Sequence, residues 1–289
     1  MPTRAAAMLR PAARAALWMG GALLSFSAMA IGGRELSTEL NTFQILFFRS
    51  AVGLLIVGAL LARFGARHAR SSQLRLHVLR NTAHFVGQFG WFYGIALLPL
   101  AQVFAIEFTI PIWTLLLAAV FLGERLTRAR VAAVAFGFVG MLVILRPGVV
   151  PLDAASLVVL ISALGYGVSY VATKRLTATD SPLTVIFYMT LIQLPLALVP
   201  SLPGWSWPSA PLWPWIAVVG VTALSAHFCI ARALRLADAM VVVPMDFLRL
   251  PLIAVIGYLM YLEPLDPWVM VGAAIMVAGQ LLNLRAERR

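Results

Sequence analysis

The sequence predicts an all-α membrane protein: ten transmembrane helices arranged as two inverted five-helix repeats. Three observations predict it. The chain of 289 residues is 62% hydrophobic and 11% charged, against about 45–50% and about 25% in soluble domains. Its apolar residues gather into ten runs, most of them long enough to cross ~30 Å of hydrocarbon at ~1.5 Å per residue. Its positive charges alternate. All of the 22 Lys and Arg except Arg34, Arg49, Arg146 and Arg249 lie on the termini or on every second connection.

Run 1, Ala15–Gly32, follows a basic lead with Arg4, Arg10 and Arg14. The lead looks like a signal peptide, but the length of run 1 and its place in the charge alternation make it an uncleaved first span. Run 2, Asn41–Ala62, precedes Arg63, Arg67, Arg70, Arg75 and Arg80. Run 3, Leu76–Leu97, carries a polar stripe. Run 4, Ala101–Leu122, holds Glu107 and Pro111 and leads to Arg125, Arg128 and Arg130. Run 5, Ala129–Leu145, is rich in small residues, among them Ala133, Gly137 and Gly140.

After a short Pro- and Gly-rich join, Arg146–Asp153, run 6 (Ala154–Thr173) leads to Lys174 and Arg175. Run 7, Leu183–Leu202, opens into a connection with Trp205, Trp207 and Trp213, read as an indole anchor at the headgroup level. Run 8, Trp213–Ala231, precedes Arg232 and Arg235. Run 9, Ala239–Leu262, holds Asp246 and Arg249 between Pro244 and Pro251. Run 10, Pro267–Leu284, contains Gly272, Ala278 and Gly279 and ends at Arg285, Arg288 and Arg289. The positive-inside rule then places both termini on the cytoplasmic side of a cytoplasmic (inner) membrane. A net charge of +11 spread over short turns suits anionic lipid and not nucleic acid, which asks for a basic face.

The two halves repeat weakly at an offset of 139–140 residues. Glu107 meets Asp246, Phe108 meets Phe247, Glu124 meets Glu263 and Gly140 meets Gly279. Five spans per half is an odd number, so residues 1–146 and 154–289 read as repeats of opposite orientation. Such repeats are a common basis of alternating access, with the substrate site between them near midplane.

At this point the chain resembles the drug/metabolite transporter superfamily, EamA-like family. The residues that carry the resemblance are "FFRSAVG" in run 2, Pro111 in run 4, "FLGERLT" after it, and a small-residue fifth span ending near Arg146-Pro147. The second half departs, with "YLEPLD" for "FLGERLT" and Met189 where the first half has Arg49. The resemblance implies a ten-helix bundle that moves small organic solutes, inward or outward, with no cofactor.

Ionisable groups inside a bilayer persist when they pair or line a wet cavity. Four stand out: Arg49, Glu107, Asp246 and Arg249. Arg49 and Glu107 lie about 12 and 9 Å deep from one side, so they are able to pair. Asp246 and Arg249 are three apart on one helix face. On run 3, Asn81, His84, Gln88 and Trp91 share one face. The reading is that these eight residues contact the substrate; static ion pairs and a packed histidine are the alternatives. Glu124 and Glu263 read as end caps. The small residues of runs 5 and 10 fit either packing within the chain or a homodimer seam.

There is no GxxxxGK[ST] phosphate loop, no HExxH and no CxxC, and Cys229 is the lone cysteine. No nucleophile–base–acid set assembles. These patterns predict a secondary active transporter of a small organic metabolite and not an enzyme. An exporter of drugs or amino acids is the runner-up, and a receptor or scaffold without transport is the rival from another class.

Overall fold

The computed structural model describes residues 11–65, 69–146, 153–263 and 266–286. The basic lead with Arg4 and Arg10, Arg67, the middle of the join, Leu265, Arg288 and Arg289 lie outside them. Every regular element among the described residues is helical. The first half holds α1 (Pro11–Leu36), α2 (Thr42–Phe64), α3 (Leu74–Leu97), α4 (Leu100–Glu107), α5 (Ile110–Leu122) and α6 (Arg128–Leu145). The second holds α7 (Ala154–Leu176), α8 (Pro182–Ser201), α9 (Trp213–Leu236), α10 (Ala239–Val242), a 3₁₀ stretch (Val243–Leu248), α11 (Arg249–Tyr261) and α12 (Pro267–Ala286).

The ten apolar runs are therefore not ten equal helices. Runs 4 and 9 are each broken, at Phe108–Thr109 and over Val243–Leu248. Pro111 stands in the first turn of α5, where its missing N–H costs nothing. Pro244 falls inside the 3₁₀ stretch, which tightens the backbone around a missing donor. Among the described residues six segments are long and apolar enough to cross a membrane: Ala13–Leu36, Thr42–Arg63, Leu100–Leu122, Ala154–Leu176, Pro182–Ser201 and Ala210–Leu236. The 24-residue α3 is long enough but too polar, since it buries His77, Arg80, Asn81, His84 and Gln88.

Side-chain caps set several helix starts. Asn41 and Gln44 form a capping box on α2, and Ser181 caps α8 at the corresponding place in the second half. Thr127 caps α6, and Asp266 accepts from the Trp268 N–H at the start of α12. Asp153 caps α7, and the Ser156 N–H and Oγ–H hold its carboxyl below the usual range.

The helices pack as a crossed set. α3 runs along α7, and α1 along α9; α2 lies beside α8, and α6 beside α12. α4 meets α11, and α5 meets α10. Exchanging the halves turns each of these pairs into another of them or into itself. Glycine permits the closest approaches. A Cβ at Gly90 would sit 2.7 Å from the Val158 carbonyl oxygen, and one at Gly165 would sit 2.6 Å from that of Ala83. Gly140 and Gly272 face each other in the same way, so the small residues of runs 5 and 10 pack α6 on α12 within the chain. Large apolar side chains such as Leu55, Val120, Leu157 and Leu259 point outward, while polar ones are buried. That is the arrangement of a bundle whose solvent is hydrocarbon.

Candidate substrate site

All eight residues singled out from the sequence are buried. They gather into two polar clusters that meet along α3.

The first cluster centres on Arg49 of α2. Its Nη1 donates to Gln88 Oε1 at 3.1 Å and to Gln193 Oε1 at 3.3 Å, and its Nη2 lies 3.9 Å from Met189 Sδ. The Gln193 amide is thereby oriented. Its oxygen faces the guanidinium, and its nitrogen donates to His84 Nδ1 at 2.8 Å and to the Asn81 carbonyl at 3.3 Å. An Nδ1 that accepts leaves the proton of a neutral His84 on Nε2. The His84 ring lies edge-on to His227, with centroids 4.5 Å apart, and edge-on to Tyr166. Below it, Arg80 donates to Asn81 Oδ1 at 2.6 Å and to Thr173 Oγ1 at 3.1 Å.

The second cluster is an ionic triad. Arg249 Nη2 donates to Glu107 Oε2 at 2.9 Å and to Asp246 Oδ2 at 2.6 Å. Trp91 Nε1 donates to the same Glu107 oxygen at 3.0 Å. The guanidinium also lies over the rings of Phe26 and Phe104, 4.8 and 4.5 Å from their centroids. The breaks in runs 4 and 9 bring this triad together: Glu107 closes α4, Asp246 lies in the 3₁₀ stretch and Arg249 opens α11.

The Asp246–Arg249 pair forms as the spacing predicts, whereas the pairing of Arg49 with Glu107 does not. Glu107 is taken by Arg249 and Trp91, and Arg49 turns instead to two neutral amide oxygens. Three members of the first cluster carried weaker signals in the sequence. Arg80 reads as one more cytoplasmic charge, although it stands four residues before His84 on the same face. Gln193 is a rare polar residue in run 7. His227 meets Gln88 at the repeat offset.

Glu124 and Glu263 are caps, each on a helix of the opposite half. Glu124 accepts from the N–H groups of Ala239 at 2.9 Å and Met240 at 3.0 Å, at the start of α10. Glu263 accepts from the Leu100 N–H, 3.1 Å from each carboxylate oxygen, at the start of α4, and lies 3.4 Å from Arg34. In the tryptophan-rich connection, Trp205 packs on Phe47 and Phe48, while Trp207 and Trp213 are exposed. A cleft of about 610 Å³ forms a lateral groove between α3, α5 and α7, lined by Leu79, Leu117, Phe121 and Val168. No member of either polar cluster lines it. It suits lipid more than a polar solute. Among the described residues no group of three or more His, Cys, Asp or Glu is placed to hold a metal ion.

A chain with this architecture has known counterparts. The model of the EamA-like transporter family matches residues 13–146 and again 154–285. An S-adenosylmethionine uptake transporter of Rickettsia bellii is 24% identical over 272 residues, covering 94% of each chain. A riboflavin transporter of Brucella anthropi is 31% identical over 257 residues, 86% of this chain and 90% of that protein. The pseudopaline exporter CntI of Pseudomonas aeruginosa is 27% identical, over 92% of this chain and 94% of its own. A solved crystal structure shares the fold with a TM-score of 0.77 at 20% identity, covering 95% of this chain and 98% of the other. Family and relatives are transporters rather than enzymes, and this chain belongs to the EamA-like transporter family.

Proposed function

We propose that this chain is a secondary active transporter that takes up a small organic metabolite across the cytoplasmic membrane by alternating access. Its ten runs are ten spans in two inverted five-helix repeats, residues 1–146 and 154–289, with both termini cytoplasmic. The observation that carries the reading is the exchange of helix partners between the halves around a buried polar core. Two bundles related this way can rock about a fixed centre, opening first to one side and then to the other. Arg49, Asn81, His84, Gln88, Trp91, Glu107, Asp246 and Arg249 stand at that centre and form the substrate site. The breaks in runs 4 and 9 fit the same role, since irregular backbone in a membrane is tolerated where it is buried in protein or lines a cavity.

Uptake is the direction put to the test first: relatives that span more than nine-tenths of the chain include S-adenosylmethionine uptake transporters of two organisms beside a pseudopaline exporter. The test is a panel of bacterial auxotrophs, each lacking synthesis of one metabolite and the corresponding importer. An importer restores growth at low external metabolite. Growth unchanged across the panel, together with raised tolerance to an added compound, would assign export.

A further inference from the structure

The two clusters differ in charge balance, and that difference bears on what is carried. Arg249 is buried with two carboxylates on one nitrogen. Arg49 and Arg80 are equally buried, each 2% exposed. Yet every partner of these two is neutral: amide oxygens, a threonine hydroxyl and a thioether. Among the described residues neither guanidinium has a carboxylate within 4.0 Å. An arginine does not shed its proton, so two positive charges are held away from water without a counter-charge.

The unpartnered donors of this cluster point the same way. Arg49 Nε, Asn81 Nδ2, His84 Nε2 and Gln88 Nε2 are all buried without a hydrogen-bond partner. In the tautomer that Gln193 imposes on His84, all four are donors. A set of donors with two fixed positive charges complements a group that only accepts. At the other cluster Asp246 Oδ1 is buried without a hydrogen-bond partner, and both bonds to Glu107 fall on its Oε2. Gln88 and Trp91 join the two clusters across three residues of α3, a rise of about 4.5 Å.

We propose, resting on the transport reading above, that Arg49 and Arg80 form the receptor for an anionic group of the solute, a carboxylate or a phosphate. Asp246 Oδ1 takes a donor on the same molecule. The substrate class is then organic anions and zwitterions, and neutral or purely cationic compounds are discriminated against. Gln193 links the two side chains, its amide oxygen accepting from the Arg49 guanidinium and its nitrogen donating to His84 Nδ1.

The test uses the purified full chain in lipid nanodiscs and two matched pairs of probes. One pair is riboflavin 5′-phosphate and riboflavin. The other is S-adenosylmethionine and its decarboxylated analogue. The expected result is that the member carrying the carboxylate or phosphate raises the melting temperature more and binds at least about tenfold tighter. Arg49→Gln and Arg80→Gln should each bring that ratio toward one. Empty Arg49→Gln protein should melt at or above wild type, because a buried charge without a counter-charge has been removed. Arg49→Lys, which keeps the charge but not the planar fork, should retain part of the preference. Equal binding of both members of each pair overturns the assignment, as does an empty Arg49→Gln protein that melts well below wild type. Counterflow of the bound probe is measured separately. Anion-selective binding without counterflow would leave the receptor standing and remove the transport reading.

Discussion

Neutralising Glu124 should bias the bundle open at one end, and neutralising Glu263 should bias it open at the other. Each carboxylate fastens the start of a broken span in the opposite half. Glu124 holds two separate backbone donors, Ala239 and Met240, at 2.9 and 3.0 Å. Glu263 shares a single donor, Leu100, between its two oxygens at 3.1 Å. A hydrogen bond to a charged group contributes ~1.5–3 kcal/mol, at the lower end when part-exposed. Glu124→Gln keeps one acceptor oxygen and loses the second bond and the charge at a helix start, about 1–2 kcal/mol in all. That shifts a two-state equilibrium roughly 5- to 30-fold. Glu263→Gln keeps its single bond and loses the charge with its part-exposed pairing to Arg34, about 0.5–1 kcal/mol or a few-fold. The assay is thiol labelling of Val103→Cys and Val242→Cys, made singly with Cys229 replaced. Both positions are fully buried and stand at the repeat offset. Glu124→Gln should raise labelling of Val242→Cys and lower that of Val103→Cys; Glu263→Gln should do the reverse, more weakly. Labelling that rises at both positions in both mutants would mean simple loosening and would refute the reasoning.

Further outcomes follow from single contacts. Arg249→Gln leaves Glu107 and Asp246 buried together without their cation, and should cost about 3–5 kcal/mol, read as lost folded protein after detergent extraction. Glu107→Gln should cost far less, because Asp246 still pairs with Arg249. Leu262 sits in the left-handed region (φ 55) where the first half has Gly123, and its side chain is 87% exposed. Leu262→Gly should therefore stabilise the fold by roughly 1 kcal/mol, seen as a higher melting temperature. Glu39 accepts from the Ser209 N–H and Oγ–H, which hold its carboxyl below the usual range. This clasp should be complete above the ordinary glutamate pKa, ~4.3, and should be lost as pH falls through the lowered value. Hydrogen-exchange protection over residues 202–212, taken relative to the intrinsic amide rate at each pH, reads it; lower protection at neutral than at acid pH would contradict it.

Much of this architecture is legible because a bilayer imposes simple rules. Long apolar runs with alternating basic connections mark helices directly, and each run does become helix. What periodicity misses is where a run breaks. Pro111 marks run 4 as interrupted, yet the break falls ahead of it, at Phe108–Thr109, and brings Glu107 onto Arg249. Depth along a helix is computable from sequence, which is why Arg49 and Glu107 look like partners. Rotation about the helix axis is not, and it sends Arg49 toward Gln88 and Gln193. The stripe on α3 was readable since four polar residues at spacings of three and four leave little choice of face. Arg80 was hidden by its company, one arginine among five after run 2. The caps show a further limit. Glu124 and Glu263 read as ends of their own spans, and only the packed bundle shows that each closes a helix of the other half.

The measurement that bears most directly on the central claim is counterflow in proteoliposomes. Vesicles holding the purified chain are loaded with unlabelled S-adenosylmethionine or riboflavin 5′-phosphate and diluted into the same compound at trace level with a radiolabel. A transporter that alternates about the Arg49–Arg249 core should accumulate label transiently above the external concentration, and Arg49→Gln should abolish the overshoot. Protein-free vesicles should show none. Wild-type overshoot in the Arg49→Gln protein would contradict the site, and its absence from wild-type vesicles for every metabolite in the panel would contradict transport itself.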